Sequence, residues 1–406
     1  MRAAIEIIPA GGVTTPPGFI AGATYAGIKK KSQDALDLSI LFSEVSCITA
    51  AVFTTNKIKA ASVILDQEKL QKSGKTRAVV INSGGANACT GIQGMKNATI
   101  TADLAAKNLG ISTDEVLVAS TGVIGVQLPL DKIKYGLSQI ALSREGGHDL
   151  ARAIMTTDTH PKEIAVRVIS GSTGFTIGGT AKGAGMIHPD MATLLSFLTT
   201  DAVVEASFLQ SALKKAINKS FNLISVDGDT STNDTVLLLA NGLAGNKTII
   251  KGNSLATLFR QALEEVCLHL AKSIAHDGEG ATRLIEIVVN GAKNVSDARL
   301  AARTISSSPL VKTAVHGCDP NWGRIIAAAG RSKAEVVQDK IDVYIGNMCL
   351  LKSGVPLPFD KKAAALELNR NEVLLRVELN VGKASARAWG CDLSEEYVVI
   401  NSEYTT

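Results

Sequence analysis

Few residues in this chain are spaced as if for chemistry, and the first is a threonine. In the stretch 182–200, KGAGMIHPDMATLLSFLTT, Thr193 follows the small Ala192, behind a glycine-rich turn that carries Lys182 and ahead of an apolar run. A threonine hydroxyl is a weak nucleophile unless a base, an oxyanion site and a substrate holder stand beside it. If the Ala192–Thr193 bond is cut, Thr193 gains an α-amine on the same residue as its Oγ. Such an amine, with a reference pKa of about 7.7 to 8.0, is neutral often enough near pH 7 to act as the base. The cut is the same chemistry turned on the chain: Oγ attacks the Ala192 carbonyl, an ester replaces the amide, and water opens it. The small side chain at 192 and the glycines at 183 and 185 suit the bent backbone this needs. The plain alternative is an ordinary turn before a helix or strand starting at Thr193, and Ser196, Thr199 and Thr200 are rival hydroxyls.

Other stretches supply parts. ASTGVIG (119–125) follows the apolar EVLVA, so a hydroxyl and an approachable backbone N–H stand at a strand end, where they could hold a developing oxyanion. MTTDTHPKE (155–163), taken alone, reads as a solvated loop. Glu279, between two glycines in AHDGEGATR (275–283), reads alone as surface charge. GGTAKGAG lacks the ending of a phosphate-binding loop and INSGGANACTG (81–91) lacks the dinucleotide spacing, so neither is a nucleotide site. GCDPNWGR (317–324) is a compact turn with no chemical role assigned. The six histidines form no ligand spacing, and no metal site is expected.

The elements that must position these residues alternate between strands and helices, which makes the chain α/β. RAVVIN (77–82) and LIEIVVNG (284–291) read as buried strands; KIDVYIG (340–346) and EVLLRVELNVG (372–382) alternate as half-exposed strands do. The stripe from Leu255 to Ile274 predicts a helix over 254–275 with Ser254 as its N-cap, and a second stripe predicts a helix over 205–218. No linker or repeat divides the chain, and the segment 182–191 is the best candidate seam.

With 406 residues, 46% hydrophobic and 20% charged, the chain is globular, large enough for two or three lobes. Its net charge of +4 is thinly spread, and the KKK at 29–31 is short and has no stacking aromatics, so nucleic acid is not an expected partner. The N-terminus lacks a signal peptide's apolar core and no run approaches a membrane span, so a cytoplasmic location is expected. The six cysteines have no CxxC pairing and read as buried free thiols.

Read together, INSGGANACTG, STGVIG, MTTDT, KGAGMIHPDMATLLSFLTTDA, DGDTSTNDT (227–235), HDGEGATR, GCDPNWGR and YVVINSEYTT occur in the order found in the ornithine acetyltransferase family, the ArgJ proteins, and the chain resembles that family over essentially its whole length. The resemblance implies stacked β-sheets flanked by helices, with a smaller C-terminal α/β lobe. It implies self-cleavage at Ala192–Thr193 into an α chain (1–192) and a β chain (193–406), pairing as α2β2 or larger. Thr193 then takes acetyl from N2-acetylornithine and passes it to glutamate in a ping-pong cycle. The oxyanion pair falls on Thr121 and Gly122. Substrate contacts fall on Thr156, with Thr157 as the neighbouring choice, and on Lys182, Thr193, Glu279, Asn401 and Thr406. Lys182 suits the α-carboxylate shared by both substrates, and Glu279 suits the δ-ammonium of ornithine. A role for Asn401 and Thr406 requires the C-terminus to be tied down, which EYVVIN (396–401) is expected to do as a strand. No cofactor is implied; acetyl-CoA is a co-substrate in those members that also make N-acetylglutamate directly. A threonine aminopeptidase or amidase of similar build, and a binding protein with an idle site, are the competing readings.

Overall fold

Two mixed sheets organise the chain in the computed structural model, which describes residues 4–29, 35–171, 173–188 and 194–403. The first sheet has nine strands. Its spine is the 16-residue strand Leu38–Phe53, flanked in its first half by Phe19–Thr24 and Lys75–Asn82 and in its second half by Thr235–Ala240. A register shift between Phe42 and Cys47 bends this strand, so that the sheet folds back over itself. Leu41, Val79, Ile81 and Leu117 thereby share one buried cluster with Phe197, Leu237 and Leu239. The outer faces are covered by helices. Ile40 and Val80 pack with Ala61–Lys72, Gly91–Leu109 and Leu130–Gln139, while Ile177 and Leu238 pack with Ala206–Lys219 and Ser254–His276. The layers run helix, sheet, sheet, helix. Coverage on both faces explains why RAVVIN, inside Lys75–Asn82, is an unbroken apolar run instead of an alternating one.

The longest helix, Ser254–His276, buries Phe259, Leu263, Val266, Leu270 and Ile274 completely. At about 1.5–3 kcal/mol for each such side chain, this stripe is the main fastening of its layer. Asn253 caps the helix, its side chain accepting from the Ala256 N–H at 2.9 Å; Ser254, expected to do so, is instead the first helical residue. The 205–218 expectation corresponds to Ala206–Lys219.

A seven-stranded sheet built mainly from residues 284–391 forms the smaller C-terminal lobe, with Val295–Ser306 and Trp322–Gly330 packed in its own core. Its strands Leu284–Ala292, Asp342–Ile345 and Glu372–Glu378 lie where the apolar runs predicted, the last ending four residues earlier than the pattern suggested. GCDPNWGR leads into the Trp322–Gly330 helix, with the Asn321 side chain accepting from the Arg324 N–H.

Two further expectations are corrected. EYVVIN is not a strand but part of the terminal helix Glu395–Glu403. Its β-branched run imitates a strand, yet Val398 and Val399 point to solvent, and helical geometry instead puts Tyr397 and Asn401, four residues apart, on one face. The six cysteines are all free, but only Cys47, Cys267 and Cys391 are buried, while Cys89 is exposed. Among the described residues, no helix is long and apolar enough to cross a membrane.

Candidate active site

The site is built where an antiparallel pair is interrupted. Thr173–Lys182 pairs with Leu195–Thr200 in the register Lys182↔Leu195, so the chain leaves the sheet at Lys182 and returns at Leu195. Lys182 is thus the last residue of a strand, not part of the turn that the sequence suggested. Beside this gap lies a cavity of about 150 Å³, room for on the order of ten water-sized groups, the size of a small amino-acid derivative. Leu194 and Leu195 line it. Ala192, Thr193 and Thr406 lie outside the described residues, but Leu194 follows Thr193 directly in the chain.

Thr121 and Gly122 form one wall. They follow the buried strand Val116–Ser120, and the Thr121 N–H is already donated to the Asn82 carbonyl at 3.0 Å. The donors that Thr121 and Gly122 can offer an oxyanion are therefore the Thr121 hydroxyl and the Gly122 N–H. Gly122 has φ +122° and lies so close to Gly84 and Gly85 that an added Cβ would stand 2.7 Å from the Gly84 carbonyl carbon. This is the work of INSGGANACTG: its Gly84–Gly85 pair lets the Thr121–Gly122 turn sit against it. Asn82 locks the arrangement, donating to the Gly85 carbonyl at 2.8 Å and accepting from the Ser120 hydroxyl at 2.7 Å. Asn233 ties it to the next strand through the carbonyls of Ala86 and Ser120.

Lys182 enters from the end of its strand, 8% exposed, with its ammonium 3.4 Å from the Thr121 hydroxyl. Burial lowers its pKa, and the carboxylate of Asp158 acts the other way. Asp158 organises this side. It accepts from the Lys162 ammonium at 2.6 Å, the Gly183 N–H at 2.7 Å and the Thr156 N–H at 3.0 Å. Burial alone would raise its pKa, but Lys162, Lys182 and these hydrogen bonds outweigh it and hold the carboxyl at about 2. MTTDT is therefore a fixed loop and not a solvated one, with Thr156 and Thr157 both lining the cavity.

Glu279 closes the far end. Only 8% exposed, it is no surface charge; its carboxylate accepts from the Asn401 side chain at 2.8 Å, and Tyr397 and Asn401 of the terminal helix stand in the cavity wall. Gly185 passes so close that a Cβ there would lie 2.4 Å from the Glu279 carboxylate. Seven of the residues singled out in the sequence, Thr121, Gly122, Thr156, Thr157, Lys182, Glu279 and Asn401, therefore share one cavity. Sequence reasoning assigned nothing to Asp158, Asp227, Asn233 and Asp234. The only available signal for the last three was the unusual polar density of DGDTSTNDT, and for Asp158 its place between two threonines.

Among the described residues no group of three or more His, Cys, Asp or Glu is arranged to hold a metal ion. The cavity instead offers a hydroxyl and an N–H for an oxyanion, one ammonium for a carboxylate, and buried carboxylates for a cation.

Comparison with known proteins gives concordant matches. The ArgJ family model matches residues 20–406. The arginine biosynthesis bifunctional protein ArgJ of Dehalococcoides mccartyi strain CBDB1 is 55% identical over 406 residues, 100% of both chains. That of Symbiobacterium thermophilum is 52% identical over 399 residues, covering 98% of this chain and 99% of its own. A crystal structure of the arginine biosynthesis bifunctional protein ArgJ from Bacillus halodurans matches with a TM-score of 0.50 and 47% identity, over 51% of this chain and 97% of the crystallised one.

Proposed function

The chain belongs to the ArgJ family, and on that premise we propose that it moves an acetyl group from N2-acetylornithine to glutamate through an ester on Thr193, after cutting itself between Ala192 and Thr193. It is an acyltransferase of arginine biosynthesis. The observation that carries the site assignment is the single cavity in which the Thr121–Gly122 turn, Lys182 and Glu279 meet beside Leu194. The half-length Bacillus halodurans chain, 97% of which corresponds to 51% of this one, supports a mature form in two pieces.

In the first half-reaction the Thr193 α-amine takes the Oγ proton as Oγ attacks the acetyl carbon. The negative charge that develops on the acetyl oxygen meets the Thr121 hydroxyl and the Gly122 N–H, fixed donors that need no reorganisation as charge develops. The C–N bond breaks, the proton passes to the departing nitrogen, and ornithine leaves with acetyl held as an ester. In the second half-reaction the α-amine of glutamate attacks that ester, the same donors meet the second oxyanion, and Oγ recovers its proton. Lys182 faces the α-carboxylate common to both amino acids, and Glu279 faces the δ-ammonium of the donor. Acetyl-CoA can deliver the same acetyl to the same hydroxyl, and coenzyme A release with glutamate in the absence of acetylornithine tests that route.

Electrophoresis under denaturing conditions should resolve active protein into two pieces of nearly equal size, and intact mass spectrometry should find acetyl on the piece beginning at Thr193 after mixing with acetylornithine. Thr193→Ala should remain whole and inactive. Active protein in one uncut chain sinks the reading, and acetate release that needs no glutamate points to hydrolysis.

A further inference from the structure

Two of the stretches singled out in the sequence hold charged residues that the proposed reaction leaves without a role. MTTDTHPKE supplies Thr156 and Thr157 to the cavity, and AHDGEGATR supplies Glu279. Behind them stand Lys162 of the first stretch and Asp277 of the second, neither of which lines the cavity.

The Lys162 side chain is fully buried, and its ammonium is used up by three acceptors: Asp158 at 2.6 Å, Asp277 at 2.5 Å and the His160 carbonyl at 3.4 Å. Asp277 ends the helix Ser254–His276, two residues before Glu279. It also accepts from the Thr159 N–H at 3.1 Å and from the Thr159 hydroxyl, and the His160 ring is 3.2 Å away. Asp158 accepts from the N–H groups of Thr156 and of Gly183, the residue after Lys182. Lys162 is paired with Ala181 in the strand register, so the two lysines stand at the same end of neighbouring strands, and Asp158 touches both strands there.

The two lysines are held very differently. Lys162 is clamped by two carboxylates. Lys182 is 3.4 Å from the Thr121 hydroxyl, and among the described residues its ammonium makes no ion pair. A buried ammonium with no carboxylate of its own is fit to receive one from a ligand. Asp227, Asp229, Asp234 and Glu279 line the cavity, but among the described residues the carboxylate of Asp158 alone accepts from the N–H next to Lys182. Stability does not account for the clamp, because charges buried together repay their desolvation poorly and apolar residues of similar volume often serve a fold as well.

We infer that Lys162 is a positioning residue for substrate recognition: by neutralising Asp158 from behind the wall, it leaves the Lys182 ammonium free for the α-carboxylate that donor and acceptor share. Without Lys162, two buried carboxylates, Asp158 and Asp277, would face one ammonium, that of Lys182. Lys182 would then turn from the substrate to Asp158. Against the effect of burial, the charges of Lys162 and Lys182 together hold the Asp158 carboxyl at about 2, so both lysines act on the same carboxylate.

This inference rests on the acetyl-transfer reading, with Lys182 as holder of the α-carboxylate, and a change in the donor separates the two. Matured enzyme is mixed rapidly with N2-acetylornithine or with its α-carboxamide, and acetyl loading is followed by intact mass spectrometry. Wild type should favour the carboxylate by roughly 10- to 150-fold in kcat/KM, the worth of a hydrogen bond between charged groups. In Lys162→Met that preference should shrink at least ~10-fold, with use of glutamate weakened by a similar factor and the loss falling on KM more than on kcat. Lys162→Met/Asp158→Asn, which also removes the competing charge, should recover the preference to within about threefold of wild type. A wild type indifferent to the α-carboxylate sinks the Lys182 assignment and this inference with it. A discriminating wild type beside a Lys162→Met that discriminates equally well overturns this inference alone, and so does a double variant that discriminates no better than the single one. Where Lys162→Met does not fold, Asp158→Asn decides. Its amide oxygen can still accept from Gly183 and Lys162 keeps Asp277, so its preference for the carboxylate should equal or exceed that of wild type, and a loss beyond about threefold overturns the inference.

Discussion

Replacing Glu279 by Gln removes one charge while keeping the shape and the acceptor that holds Asn401. The two half-reactions should respond differently. With acetylornithine bound, the Glu279 carboxylate faces an ammonium in a site where it is itself only 8% exposed. Two unit charges about 4 Å apart attract by roughly 4 kcal/mol at an effective dielectric of 20, before desolvation is subtracted. Hydrogen bonds to charged groups are worth a net ~1.5–3 kcal/mol, which is the better guide for a group already dehydrated by its neighbours. The expected loss in kcat/KM for acetyl transfer from acetylornithine to the enzyme is therefore roughly 10- to 150-fold. Glutamate has no second ammonium, so deacetylation of the loaded enzyme by glutamate should be unchanged or faster. Each half-reaction can be followed by intact mass spectrometry after rapid mixing, first loading the threonine and then chasing it with glutamate. An equal drop in both half-reactions refutes the assignment of Glu279 to the ornithine side chain, as does a change below about threefold in the first.

Two other outcomes follow from the residues around the cavity. Asn401→Ala removes the donor that orients Glu279 at 2.8 Å, and it should weaken acetylornithine use by roughly 5- to 10-fold, the worth of about one hydrogen bond, with little effect on glutamate. Asp158→Asn weakens a buried pair but leaves Lys162 its second carboxylate partner, Asp277, so it should lower stability by about 1.5–3 kcal/mol near neutral pH, the worth of hydrogen bonds to a charged group, read from urea midpoints. Because the folded-state pKa of Asp158 is depressed to about 2, its contribution is complete above the unfolded value near 4 and fades as pH falls from about 4 towards 2. The gap between wild type and variant should narrow over that interval and not on the alkaline side.

How far the sequence could be read depended on what kind of signal each residue gives. Regular periodicity carried the Ser254–His276 helix and the Lys75–Asn82 strand, since apolar spacing is a direct imprint of the face a segment buries. The resemblance to a family carried Lys182, Glu279 and Asn401, whose local context argues for nothing: taken alone, Glu279 looks solvated, and residues distant in the chain, Gly185 and Asn401 of the terminal helix 122 residues downstream, close over it. The same long-range contact defeated the reading of EYVVIN, where side-chain branching spoke for a strand and the tertiary partner chose a helix. Asp158 and Asp234 were invisible for a different reason. A carboxylate's role is set by which groups reach it, and for Asp158 those are Lys162, Gly183 and other residues that no local pattern connects to it.

The interrupted pair of strands on either side of the proposed cut has a consequence for manufacture. Thr173–Lys182 belongs to one product and Leu195–Thr200 and Thr235–Ala240 to the other, yet they are neighbours in a single ladder, and the spine Leu38–Phe53 is hydrogen-bonded along its second half to Thr235–Ala240. Neither product has a finished interior of its own. Gene fragments expressed in separate vessels and mixed afterwards would each meet water with the seam of that ladder bare, so the scission has to come after the polypeptide has assumed its shape. The two products are then partners from birth, matched one to one, and damage to either cannot be repaired by exchange with a fresh copy.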